Sequence, residues 1–118
     1  MKFNELNNRV IAWADDKGIL KKGTPTAQHT KTEEEVKELG EALFAQQNYL
    51  EYYVNSKGDK VKTIDEIKDG VGDSLVTLLI QCKLNHIDPL ECLEIALNVI
   101  EKRSGTMING TFVKNKVY

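Results

Sequence analysis

The sequence EIKDGVGDSLVTLLI at residues 66–80 decides how this chain folds, because it joins an acidic segment directly to an apolar one. A second acidic segment, EEVKEL, stands at residues 34–39, and both segments lie in stretches with helical spacing. Carboxylates at the start of a strongly apolar helix are costly to bury unless something cationic compensates them. A divalent metal ion gathers several carboxylates at once, so the two segments together indicate an acidic site between two helices.

The spacing of apolar residues predicts four helices and no competing strand. Phe3, Leu6, Val10 and Trp13 share one face of a first helix, which ends near Gly18. We interpret Trp13 as a core anchor rather than a base-stacking platform, because a large aromatic side chain stabilises a domain most when it is buried.

Two capping boxes predict where the central helices begin. Thr32 with Glu35 opens the second helix, which runs towards Tyr49, and Thr63 with Glu66 opens the third, which runs to about residue 85. The third helix is apolar nearly all round, as expected of a central, buried helix. A single domain of this size does not cover such a helix fully, so we expect a partner subunit to complete its cover.

The fourth helix has the clearest start, with Asp88 as N-cap and Pro89 in the first helical position, and it ends at Gly105. Its buried stripe is expected to consist of Leu90, Leu93, Leu97 and Ile100. The tail, residues 106–118, forms either a small hairpin or a docked extended arm. The predicted fold is therefore an all-α four-helix bundle over residues 1–105, followed by a short C-terminal extended tail.

Composition places the chain among single-domain globular proteins. Of its 118 residues 41% are hydrophobic and 29% are charged, which argues against disorder. The net charge of −2 gives no general reason to expect a nucleic-acid partner. No signal peptide or membrane-length apolar run is evident, and Cys82 and Cys92 lie in apolar helical patterns, so we expect a cytoplasmic protein without a membrane partner.

The helical projection brings carboxylates towards the core. At about 100° per residue, Glu66, Asp69 and Asp73 fall on the core-facing side of the third helix, and Glu35 and Glu38 flank the core-facing stripe of the second. Asp73 lies about ten positions beyond the cap, so the helix dipole does not explain it. Four or five carboxylates on facing helices suit Mg²⁺, with Mn²⁺ as a substitute.

These two segments resemble the signature of the MazG-like all-α nucleoside triphosphate pyrophosphohydrolases, in particular their short, phage-type members. That signature is an EExxE motif on one helix and, on the next, an ExxD motif followed by an apolar run. Residues 34–38 match the first motif, and Asp73 with the apolar run after it matches the end of the second. The similarity reaches outwards to Lys31 on one side and to Lys102 and Arg103 on the other, so it covers roughly residues 3 to 105.

The chain departs from this signature at one position. The family's Glu stands three residues before its Asp, and here that position is Gly70. We interpret Asp73 as the family Asp and Asp69 as the substitute for the Glu. Glu66-x-x-Asp69 matches the motif literally, but one turn before the apolar run, which leaves Glu66 as the alternative substitute.

The resemblance implies Mg²⁺-dependent hydrolysis of (deoxy)nucleoside triphosphates to monophosphate and pyrophosphate, a reaction that cleans the nucleotide pool. It also implies a homodimer or homotetramer with the site near a subunit interface. The metal ligands that it implies are Glu35, Glu38, Asp69 and Asp73. The catalytic residues would be Glu34, Glu35, Glu38 and Asp73, and the substrate-binding residues Lys31, Lys102 and Arg103.

Two alternatives remain open at the level of the sequence. The first is a non-catalytic acidic helical interaction module, which kept the fold and lost a ligand at position 70. The second is an enzyme similar to phosphoribosyl-ATP pyrophosphohydrolase, which uses the same carboxylates on another substrate.

Overall fold

The computed structural model describes residues 1–115, in which five helices and two small sheets follow one another along the chain. The chain divides into two compact units, the first spanning Met1–His86 and the second beginning at Ile87. The helices are α1 (Phe3–Asp16), α2 (Ile19–Lys22), α3 (Pro25–Gln47), α4 (Thr63–Leu84) and α5 (Pro89–Ile100). The strands are β1 (Tyr52–Val54), β2 (Lys60–Lys62), β3 (Gly105–Ile108) and β4 (Thr111–Lys114).

Helix α3 begins eight residues before the position that the capping box predicts. Its N-cap is Thr24, whose hydroxyl oxygen accepts a hydrogen bond from the Ala27 N–H at 3.2 Å, and Pro25 occupies the first turn. Thr32 lies inside the helix and donates its hydroxyl to the Gln28 carbonyl at 3.2 Å. The prediction of a helix start at Thr32 is therefore wrong, because its hydroxyl bonds within the preceding turn.

Helices α3 and α4 pack antiparallel and form the centre of the first unit. The buried Gln28 side chain near the start of α3 donates to the Thr77 carbonyl of α4 at 3.0 Å, and Gln81 donates to the Pro25 carbonyl at 2.9 Å. Helix α1 packs against α4 as well. The buried apolar residues of this unit are mostly small, being Ala14, Ala42, Ala45 and Ile80.

A short hairpin joins the two central helices. Strands β1 and β2 pair antiparallel, with Tyr53 opposite Val61. Thr63 follows β2 directly and donates its hydroxyl to the Leu50 carbonyl at 2.6 Å, while α4 begins without a side-chain cap. The predicted capping role of Thr63 is wrong, although the helix does start at this residue, because the hydroxyl ties the helix to the chain before the hairpin.

The second unit contains α5 and a second hairpin. Asp88 caps α5 by accepting the Leu90 N–H, as predicted. Strands β3 and β4 pair antiparallel around Asn109 and Gly110, both with positive φ, so the tail adopts the hairpin form up to Lys114. Residues 116–118 of the predicted tail lie outside the described residues.

The apolar stripe of α5 was predicted to be buried, and this prediction is wrong. All four of its residues are exposed: Leu90, Leu93, Leu97 and Ile100.

The prediction of an all-α four-helix bundle with an extended tail is wrong. Residues 1–115 form a mixed α/β structure of five helices and two antiparallel two-stranded sheets. The strands are only three or four residues long, which is too short for an alternating pattern to stand out in the sequence. In the part of the chain that the structure describes, no helix is long and apolar enough to cross a bilayer.

Candidate functional site

Helices α3 and α4 approach each other closely at Gly70, in the middle of the acidic region. A Cβ atom placed on Gly70 would lie 2.9 Å from the Leu39 Cβ and 3.1 Å from the Leu39 Cα. These distances are shorter than ordinary van der Waals contacts, and one of them is to the backbone of α3. Position 70 therefore has no room for the Glu of the MazG-like signature, because its side chain would point into α3.

Asp73 and Glu35 form a cross-helix pair of carboxylates on one side of this contact. Partial burial raises the pKa of Asp73, and the negative charges of Glu35 and Asp69 raise it further. Lys31 and Lys57 act in the opposite direction. Carboxylates from both helices are thus close enough to repel one another at Asp73.

Glu66 and Glu38 form the second cross-helix pair, on the other side of Gly70. Partial burial raises the pKa of Glu66, and the charges of Asp69 and Glu38 add to it. Glu66 is seven residues before Asp73, about 10.5 Å along the helix axis. The α4 carboxylates nearest to α3 are therefore two turns apart, with Gly70 between them.

Lys31 forms ion pairs with Glu34 and Glu35, which lie one turn further along α3. Its Nζ lies 3.2 Å from Glu34 and 3.3 Å from Glu35, and hydrogen bonds to these two carboxylates raise the pKa of Lys31. Glu34 is largely exposed, whereas the Glu35 side chain is only 12% exposed. Glu35 is thus the residue of this pair that faces α4, as its effect on Asp73 also indicates.

The turn of the β1–β2 hairpin contacts glutamates of α3 near the second pair. The Lys57 Nζ lies 3.7 Å from Glu38, and the Ser56 hydroxyl donates to Glu41 at 3.4 Å. Burial and the neighbouring glutamates raise the pKa of the Tyr53 hydroxyl. The hairpin and the glutamates of α3 and α4 together line a cavity of about 50 Å³, large enough for an ion or a few waters. Its lining is Glu38, Glu41, Tyr53, Asn55, Ser56, Lys57 and Glu66.

A larger cavity, of about 460 Å³, lies between α1 and α4 with Asp73 at its edge. Its size falls within the range of small-molecule sites, and its walls are mostly apolar. It is lined by Leu6, Arg9, Val10, Trp13, Asp73 and Val76. Trp13 is 51% exposed, so its interpretation as a core anchor is wrong: the indole forms the wall of an open groove.

Asp69, Lys102 and Arg103 are the remaining predicted site residues. Asp69 is exposed on α4 and acts on Glu66 and Asp73 through its charge. Lys102 and Arg103 follow α5 in the second unit, in a turn where their N–H groups bond to Val99 and Ile100. Within residues 1–115 no three carboxylate, imidazole or thiol side chains are gathered into a ready-made metal site. Glu35 and Glu38 pair with lysines instead.

Sequence reasoning did not identify Lys57, Tyr53, Arg9 or Glu41 as part of this region. The distance of residues 55–59 from the glutamates of α3 depends on how the β1–β2 hairpin folds, which the sequence pattern did not establish. A basic residue in a tight turn between two acidic helices is the signal that would have pointed to Lys57.

Comparison with known proteins adds a phage relative and no assigned activity. No known protein family matches this chain, and no solved structure does. The chain is 31% identical over 86 residues to an uncharacterized 18.2 kDa protein from the rep-hol intergenic region of Haemophilus phage HP1. The match covers 73% of this chain and 43% of the relative, so the chain spans less than half of that protein's length. The MazG-like resemblance therefore stays a prediction from the motifs.

Proposed function

We propose that the protein hydrolyses (deoxy)nucleoside triphosphates to monophosphate and pyrophosphate with Mg²⁺, as part of nucleotide-pool cleaning. The observation that carries the proposal is the close approach of α3 and α4 at Gly70, with carboxylates of both helices on either side of it and a groove of about 460 Å³ beside Asp73. Such a substrate places the reaction in the cytoplasm.

The donor set fits a hard divalent cation. Carboxylates that raise one another's pKa are relieved when a cation binds between them, and Mg²⁺ and Mn²⁺ prefer oxygen ligands. We propose Glu35 and Asp73 as ligands on one side of Gly70, and Glu38 on the other side together with Glu66 in place of Asp69, because Glu66 lines the same cavity as Glu38. When bound, the metal would neutralise phosphate charge and activate a water molecule.

The side chains around the carboxylates supply the remaining functions. Trp13 and the apolar walls of the larger cavity offer a stacking surface for a base, and Arg9 at its rim can bind a phosphate. Lys31 forms ion pairs with Glu34 and Glu35 and adds positive charge at the same end of the site. Glu34 is suited to orient a water molecule, because it is exposed and held by only one cation.

We also propose that the chain works as a homodimer or homotetramer. Helix α4 exposes a stripe of large apolar residues, with Leu75 56% exposed. The stripe consists of Ile64, Val71, Leu75 and Leu78, which recur at helical spacing. A contiguous apolar stripe of this kind marks a protein-protein contact, and a second copy of the chain supplies a matching surface.

Product analysis tests the proposed reaction. The purified protein is incubated with a panel of canonical and modified (deoxy)nucleoside triphosphates, in Mg²⁺ and in chelator, and the products are separated chromatographically. We expect metal-dependent release of monophosphate and pyrophosphate in equal amounts. Release of orthophosphate would show that another bond is cleaved. Failure to convert any member with Mg²⁺ or Mn²⁺ would favour the non-catalytic interaction module.

A further inference from the structure

The turn of the β1–β2 hairpin has a shape fixed by its own backbone. The Asn55 side-chain oxygen accepts the N–H groups of Lys57 and Asp59, each at 3.0 Å, and Gly58 has a φ of +86° that suits glycine. The Gly58 N–H also bonds to the Asn55 carbonyl at 3.0 Å. The backbone of Lys57 is therefore positioned without help from the ion pair that its side chain makes.

This turn presents one cation to several carboxylates. Lys57 pairs with Glu38 at 3.7 Å, and Glu41 and Glu66 line the same small cavity. Lys57 thus brings a positive charge to the end of the proposed site where Glu38 and Glu66 lie.

The ion pair itself is easily broken. The Lys57 side chain is 70% exposed, and the Glu38 side chain is exposed as well. Exposed ion pairs contribute little to stability, and a lysine holds its partner as a point charge on a flexible stem. Lys57 can therefore leave Glu38 for a more highly charged partner without disturbing the hairpin.

We propose that Lys57 is a phosphate-binding residue that exchanges partners during substrate binding, an inference that rests on the proposed function. In the ligand-free protein Lys57 neutralises Glu38. Lys57 is released when Glu38 binds a divalent cation, and its ammonium group then binds the triphosphate. The hairpin thereby supplies a positive charge at the Glu38 end of the site.

The proposal predicts two effects of opposite sign in Lys57→Gln. Because Lys57 competes with the cation for Glu38, the variant should bind Mn²⁺ about threefold more tightly. Because the triphosphate loses a cationic partner, its affinity should fall about tenfold, and KM should rise with kcat changed less. Lys60→Gln is the matched control, since it removes the same charge from the same hairpin, where the Lys60 Nζ lies 5.3 Å from the centre of the Tyr52 ring.

Binding measurements keep this inference separable from the proposed reaction. Calorimetry with Mn²⁺ and with a non-hydrolysable nucleoside triphosphate analogue requires no turnover. Opposite shifts in Lys57→Gln without hydrolysis by the wild type would support the partner exchange and refute the proposed reaction. Hydrolysis by the wild type with identical constants in Lys57→Gln and Lys60→Gln would overturn the exchange alone. A wild-type protein that binds neither Mn²⁺ nor the analogue would overturn both.

Discussion

The two sides of helix α4 differ in what they contact. The side that faces α3 carries Gly70 and Thr77, both buried, and beside them the carboxylates of Glu66 and Asp73. Another side of α4 carries large apolar residues that stay about half exposed. On the first side, small residues let α3 of the same chain approach, and charged residues lie at the contact. The second side has the composition of a core, and we propose a second copy of the chain as its cover.

Gly70→Ala tests the first side and should have the largest effect. The added methyl group would meet the Cβ and backbone of Leu39, so α3 and α4 must separate and the cross-helix carboxylate pairs must separate with them. We expect loss of turnover together with destabilisation by about 1–3 kcal/mol, as for other overpacked cores. Activity assays and thermal unfolding measure the two effects.

Gly72→Ala is the matched control, because nothing lies within 4 Å of a Cβ at that position. There, the gain in helix propensity should stabilise the protein by about 0.5–1 kcal/mol and leave turnover unchanged. Equal behaviour of the two variants would show that the contact at Gly70 does not position the site.

Leu75→Glu tests the second side and should change assembly rather than the α3–α4 contact. If the stripe is a subunit interface, the buried and unpaired carboxylate makes that interface unfavourable, and the oligomer dissociates. Light scattering after size-exclusion chromatography should show a smaller particle for Leu75→Glu than for the wild type. Lys83→Glu, at an exposed position of the same helix, should keep the wild-type mass. A monomeric wild type would refute the interface.

The pH dependence of stability gives the smallest expected effect. The pKa values of Asp73 and Glu66 are raised above 3.8 and 4.5, so the folded protein holds protons that the unfolded chain has already lost. The stability of the metal-free protein should therefore fall as the pH rises from these ordinary values through the raised ones. Asp73→Asn removes one of the groups that cause this loss of stability. The melting temperature of the variant should therefore exceed that of the wild type at about pH 7.5. The difference should vanish at about pH 3.5.

Local patterns in the sequence located the starts of α4 and α5 but not that of α3, and the predicted capping bond formed at α5 but not at α3 or α4. Asp88 and Pro89 start α5 as expected. The hydroxyls of Thr32 and Thr63 fit the same capping pattern, but each bonds to a carbonyl instead. A capping-box pattern shows which hydrogen bond a residue is able to make. The packing of the folded chain determines which hydrogen bond it does make.

The candidate site was predictable in part, for similar reasons. Helical projection placed Glu35, Glu38 and Asp73 on facing sides of two helices without any structural information. It gave no distance of approach, which depends on Gly70, and sequence reasoning interpreted that glycine as a lost ligand rather than as a contact. The position of Lys57 depends on a hairpin with three-residue strands, and such strands leave no periodic signal.

Turnover by Glu38→Gln and Asp73→Asn, beside Glu33→Gln, tests most directly whether the carboxylates between α3 and α4 carry the reaction. Glu33 is the matched control, because it pairs with His29 on the exposed side of the same helix. Circular dichroism and melting temperature first establish that each variant is folded. We predict that Glu38→Gln and Asp73→Asn release no pyrophosphate, whereas Glu33→Gln retains wild-type activity. Full activity in Glu38→Gln or Asp73→Asn would contradict the proposed site.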